Sequence, residues 1–246
     1  MKIKSYLKGE FNFLDFFRSL KYKRDFRKTN PHYFDPEGLL VFCGPQGSGK
    51  TLSAVRYVKQ VLQDYPYCIF ISNVSLSGLP ADVTVLDYSE HPVGSVTNGF
   101  DGVLYLIDEI HLEWNSLESK SISIEEMTEF AQQRKQRVHI VGTSQVFMRL
   151  AKPLREQIRN VVLCKNFFGL LQHNILIDGD NSYEENGRLH AKILGNFWFF
   201  HSPDLYKSYD TYSKMQRYRG QVDRQGFSLP YDSAGGVSSQ HVKRLR

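Results

Sequence analysis

Cysteine is scarce in this chain. Its 246 residues hold three, Cys43, Cys68 and Cys164. Each lies in or beside an apolar run, and none has metal-ligand spacing. This pattern excludes a disulfide framework and a zinc cluster, and it reads as reduced, mostly buried thiols in a reducing compartment. Long apolar runs are also missing, since no stretch approaches the roughly 18 residues of a membrane span. The first residues are basic but have neither an apolar core nor a cleavage site, so no secretory signal is read. There is no internal repeat. The remaining composition is that of an ordinary globular protein, 41% hydrophobic and 23% charged. A net charge of +5 with pI ≈ 9.0 suits a nucleic-acid partner. It suits a solvated, lysine-rich surface equally well.

The most informative stretch starts at residue 39. Five apolar residues, Leu39, Leu40, Val41, Phe42 and Cys43, form a strand of the buried, parallel kind. Gly44, Pro45, Gln46, Gly47, Ser48, Gly49, Lys50 and Thr51 follow and match G-x-x-x-x-G-K-[ST] at every fixed position. Glycines at these places let backbone N–H groups wrap a phosphate. Lys50 reaches the β- and γ-phosphates, Thr51 offers its hydroxyl to Mg²⁺, and the helix that opens through Leu52 adds its positive end. Leu52, Val55, Val58, Val61 and Leu62 line one face of that helix. Further strands are expected at 67–72 and 83–86, so strand, helix and strand alternate in an α/β fold.

Val103, Leu104, Tyr105, Leu106 and Ile107 form a second apolar strand, which delivers Asp108 and Glu109 at its end. Open α/β sheets place their ligands at that end. Beside a phosphate loop, Asp108 is expected to hold Mg²⁺ and Glu109 to orient or deprotonate water. His111 and Trp114 are read as structural, Trp114 packing on the sheet. A helix is expected over 124–137, with early acids and a basic end that includes Arg134. The strand at 138–145 ends in small polar residues, and Gln145 at its tip is a candidate γ-phosphate sensor. If 147–162 is helical, Arg155 and Arg159 share one face. Both suit an arginine finger, a DNA-facing patch or a solvated basic surface. Residues 161–164 read as a further short strand. Residues 172–177 and 189–200 read as a C-terminal β-hairpin with a polar tip, and Trp198, Phe199 and Phe200 as core. The spacing of Asp178, Asp180 and Glu184 fails as a calcium loop.

Three regions are expected. Residues 1–36 form a basic, aromatic extension, in which Phe11, Leu14, Phe17 and Leu20 have roughly helical spacing. The favoured reading is a helix docked on its own domain; a membrane surface, nucleic acid or a neighbouring subunit are alternatives. Residues 37–219 form the nucleotide-binding domain, and 220–246 a weakly ordered basic tail.

Together these patches resemble the zonula-occludens-toxin-like (Zot) group of phage ATPases, related to the FtsK/HerA branch of phosphate-loop motors. The resemblance rests on 44–51, 104–111, 130–145 and 206–212, the last including Tyr209, Asp210 and Thr211. It implies an additional-strand phosphate-loop fold, a mostly parallel sheet flanked by helices, with the Asp108 strand between the phosphate-loop strand and its neighbour. It also implies ATP hydrolysis with Mg²⁺ in a ring, a hexamer or pentamer, with Arg134, Arg155 or Arg159 donated across the interface. Further implications are viral DNA as the translocated polymer, a capsid portal or membrane as the tether, and the cytoplasm of an infected host cell as the location. Filament-extruding members usually carry a membrane span after the ATPase core. None is read here, which favours packaging or translocation over extrusion. Two rival roles remain: a membrane-associated assembly ATPase and a nucleotide-dependent structural switch.

Overall fold

A computed structural model describes residues 12–36, 38–114, 132, 135–179, 182–185 and 188–209. Arg134 and the basic tail lie outside these residues. Of the helix expected over 124–137, residues 132, 135 and 136 are described and helical.

The strands are β1 (Leu39–Cys43), β2 (Ile69–Ser72), β3 (Val85–Asp87), β4 (Val103–Ile107), β5 (Val138–Ser144), β6 (Ile158–Phe167), β7 (Leu171–Asp178), β8 (Tyr183–Glu185), β9 (Arg188–His190) and β10 (Ile193–Phe200). One eight-stranded sheet organises the chain, in the order β10-β7-β6-β1-β5-β4-β2-β3. β6 through β3 run parallel. β7 is antiparallel to β6, and β10 to β7. The short strands β8 and β9 pair separately.

The apolar runs form the central strands because both faces of the sheet are covered. β1 and β4 are buried at every position. Alternation splits them between two cores. Leu104 and Leu106 pack with Leu52, Val55, Val58 and Leu62 of α2 (Lys50–Asp64). Val103, Tyr105 and Ile107 pack with Ile110, Trp114, Leu150 and Leu154 on the other face.

Several expectations need correction. The Asp108 strand does not border the phosphate-loop strand: β5 pairs with β1 on one side and β4 on the other. β5 is therefore the inserted strand that defines the additional-strand fold, and seven consecutive buried residues hold it there. Residues 147–162 are not one helix. A 3-10 turn (Phe147–Arg149) and the single-turn α3 (Lys152–Arg155) lead into β6. The strand expected at 161–164 is present and starts earlier, at Ile158, beside β1, so Arg155 and Arg159 share no helix face. The hairpin is β7 with β10, and Leu189, expected in the second strand, belongs instead to the separate short strand β9. Trp198 and Phe200 are not core, being 55% and 79% exposed on the edge strand β10, whereas Phe199 between them packs against the helix-side core. The remaining helices are α1 (Phe13–Thr29), which buries none of its residues, and α4 (Pro203–Lys207). The aromatic stripe of α1 is thus not docked on its own domain.

Candidate nucleotide site

The parallel strands β1, β5 and β4 end side by side, and the sequence motifs lie on those ends. Residues 44–51 turn from β1 into α2. Gly44 leaves the strand where a Cβ would come 2.8 Å from the Cys164 carbonyl of β6. Gly49 is the N-cap of α2, with φ 78° and no side-chain cap. The first N–H groups of the helix therefore lack a side-chain acceptor, which is the arrangement that takes up an anion. Lys50 Nζ donates to the Pro45 carbonyl at 3.0 Å, within its own loop. Ser48 Oγ is buried and has no hydrogen-bond partner among the described residues. A phosphate oxygen would satisfy such donors, so the loop fits a nucleotide phosphate.

Asp108 is tied to this loop. Thr51 Oγ1 donates to Asp108 Oδ1 at 2.9 Å, and Thr143 Oγ1 of β5 donates to the same oxygen at 2.5 Å. Asn73, just after β2, grips the Asp108 backbone twice. Its Oδ1 accepts from the Asp108 N–H at 2.8 Å and its Nδ2 donates to the Asp108 carbonyl at 3.0 Å. Glu109 has φ 56°, unusual for a residue with a side chain, and its N–H donates to Thr143 Oγ1 at 2.9 Å. The donor set also suits a hard cation. Thr51 and Asp108 present oxygens, and among the described residues no cluster of three or more His, Cys, Asp or Glu side chains could hold a metal. Two protein oxygens, with phosphate and water completing the shell, is the Mg²⁺ pattern.

Gln145 follows β5 directly, and its Oε1 accepts from Arg149 at 3.4 Å. Arg155 ends α3. Arg159 lies near the start of β6, whose Ile158 pairs with Leu39 and Leu163 with Cys43. That puts Arg159 at the end of the sheet opposite the phosphate loop, in a hollow shared with Arg27, Asp35 and Tyr65. The sheet thus brings Lys50, Thr51, Asp108, Glu109 and Gln145 to one edge and leaves Arg159 at the other.

Thr143 lies in the small polar strand end that the sequence singled out, but only strand order makes it a neighbour of Asp108. Two further contributors carry no sequence motif. Asn73 is an ordinary polar residue just after β2. Gln172 braces the phosphate loop from the β6–β7 hairpin. It is fully buried. Its Nε2 donates to the Ser48 carbonyl at 2.9 Å and to Asn174 Oδ1 at 3.1 Å. Its Oε1 lies 3.3 Å from His201 Nε2. Asn174 Oδ1 in turn accepts from Ser53 Oγ of α2 at 3.2 Å. Tyr209 also feels the site: its phenol is pushed up first by burial and then by the Asp108 carboxylate.

The thiols are inert structural groups. Burial pushes Cys43 far above the ordinary thiol range, with Cys164 beside it adding to the rise, and takes Cys68 and Cys164 up to about 12. Native protein at pH 8 is expected to leave all three unlabelled by iodoacetamide, and denatured protein to label all three; labelling of the native fold would contradict this burial. Folded values above the ordinary 9.0 mean a stabilising contribution that is intact below pH 9 and lost as pH rises towards about 12.

No family model and no curated protein matches the chain. Solved structures do resemble it. The N-terminal domain of zonular occludens toxin from Neisseria meningitidis is 16% identical at TM-score 0.48, covering 70% of this chain and 98% of that one. The genome packaging NTPase B204 from Sulfolobus turreted icosahedral virus 2, in complex with ATP-gammaS, is 10% identical at TM-score 0.44, covering 66% and 97%. The flagellar accessory protein FlaH from Methanocaldococcus jannaschii is 13% identical at TM-score 0.37, covering 69% and 95%. The fold assignment rests on the chain's own strand order and phosphate loop: this is an additional-strand phosphate-loop protein.

Proposed function

We propose that this chain hydrolyses ATP and works as a ring motor on viral DNA. The observation that carries the catalytic part is the 2.9 Å hydrogen bond from Thr51 to Asp108, which joins the phosphate loop to the acidic strand end. Lys50 leaves the Pro45 carbonyl to hold the β- and γ-phosphates. Thr51 and Asp108 would hold Mg²⁺, which when bound neutralises phosphate charge. Glu109 accepts the proton of the attacking water, and Gln145 reports the γ-phosphate from the tip of β5. A neighbour's arginine, Arg134 or Arg155, completes the site in a ring. Arg159 is the weaker candidate, given its place at the far end of the sheet. DNA as the moved polymer is supported by the sequence resemblance and by the net charge of +5.

The test is ATP hydrolysis by the purified full-length chain over a range of protein concentration, with and without duplex DNA. Specific turnover is expected to rise with both. A rate indifferent to concentration removes the ring, and a rate indifferent to DNA removes the polymer.

A further inference from the structure

α1 presents a stripe that the nucleotide site does not use. Phe13, Phe16, Phe17 and Leu20 are spaced i, i+3, i+4 and i+7, so they fall on one face. All four are between 56% and 77% exposed. The same line continues with Arg24 and Arg27 at i+11 and i+14. Lys23, Arg24, Arg27 and Lys28 line one shallow hollow beside Leu20. Six basic residues of the helix, Arg18, Lys21, Lys23, Arg24, Arg27 and Lys28, face two acidic ones, Asp15 and Asp25.

The helix is held at its other end. Phe26 packs edge-on against Tyr33 at 4.8 Å, Tyr33 meets Phe100, and the Arg137 guanidinium lies 3.7 Å over the Tyr33 ring. The Phe26 side of the helix thus anchors it, and the phenyl stripe of its first two turns stays clear. Water gives such a stripe no reward, whereas the boundary of a bilayer takes up the phenyl rings and places lipid phosphates beside the arginines.

We infer that α1 is an interfacial membrane-docking helix that seats this protein on an anionic lipid surface through Phe13, Phe16, Phe17 and Leu20, with Arg24 and Arg27 on lipid phosphates. Duplex DNA would use the cations but not the phenyl rings. A second copy of the chain would bring a like-charged helix against this one. An anionic bilayer satisfies both halves of the stripe.

The full-length protein is floated with vesicles of phosphatidylcholine alone and of phosphatidylcholine containing about one-third phosphatidylglycerol. Binding to the anionic vesicles is expected to be at least about tenfold tighter and to weaken with salt. The variant Phe13→Ser/Phe16→Ser/Phe17→Ser and the variant Arg24→Glu/Arg27→Glu are each expected to lose about tenfold or more. These side chains are exposed and Phe26 is untouched, so circular dichroism and ATP turnover should stay at the level of the parent. Failure of the parent to bind anionic vesicles overturns the inference, as does full binding by the serine variant. Capture by duplex DNA through Arg24 and Arg27 without vesicle binding, or self-association lost with the phenyl rings, also overturns it.

Discussion

Glu109→Gln is expected to bind ATP as tightly as the parent and to turn it over ~10²–10⁴-fold more slowly, the usual contribution of a positioned general base. The substitution keeps size and shape, so the strained backbone at φ 56° and its bond to Thr143 remain. Only the capacity to take a proton is lost. Equilibrium binding of a fluorescent ATP analogue, read beside phosphate release, separates the two effects. Unchanged turnover would move the base elsewhere, whereas lost binding would mean that Glu109 holds the loop rather than the water. Asp108→Asn should behave differently. It weakens a group that accepts from both Thr51 and Thr143, so metal-dependent binding should fall together with turnover.

The second large effect is expected at Gly49. Alanine there has two problems. The backbone sits at φ 78°, which a residue with a Cβ adopts at a cost. The added methyl group would overlap Gln172 Oε1 and lie 2.9 Å from its Cδ. A flexible glutamine could normally swing away, but this one is fully buried and hydrogen-bonded to Ser48 and Asn174. Gly49→Ala should therefore destabilise the fold by about 2–4 kcal/mol, combining backbone strain with overpacking. It should also weaken ATP binding by about 100-fold, equivalent to about 2.7 kcal/mol. Denaturant unfolding and analogue binding measure these separately. Gln172→Ala removes the overlap but also the brace on Ser48, so the Gly49→Ala penalty should be roughly half as large in the Gln172→Ala background as in the parent. An equal penalty in both backgrounds would mean that Gln172 does not press on Gly49.

Motifs whose chemistry is local were legible in the sequence. The phosphate loop needs closely spaced glycines and a lysine, and the acidic strand needs an apolar run before Asp108. Both appear as spacing along the chain and survive as built. What failed depends on neighbours distant in sequence. The order of β1, β5 and β4 is set by which buried faces meet, and nothing within 103–109 states that 138–144 will lie between it and the phosphate loop. The strand expected at 161–164 holds within β6, where branched Val161 and Val162 suit a strand, but it opens earlier, at Ile158, and takes in Arg159. A pair of arginines four apart carries far less energy than a place in the sheet. Trp198 and Phe200 of β10 look like core by composition, but they stand on the exposed face of an edge strand, and of the three aromatics expected as core Phe199 is the one that packs inward. Gln172 had no signal at all, because a single buried carboxamide matters only through what the fold puts beside it.

One hydroxyl has a mechanical consequence. Thr143 Oγ1 gives its proton to the Asp108 carboxylate and receives the Glu109 N–H. Asp108 and the backbone of Glu109 therefore share one contact point on β5, beside the hold that Thr51 and Asn73 keep on Asp108. A slip of β5 against β4 would disturb a contact of both residues at once, so the alignment of two neighbouring strands bears on the pair.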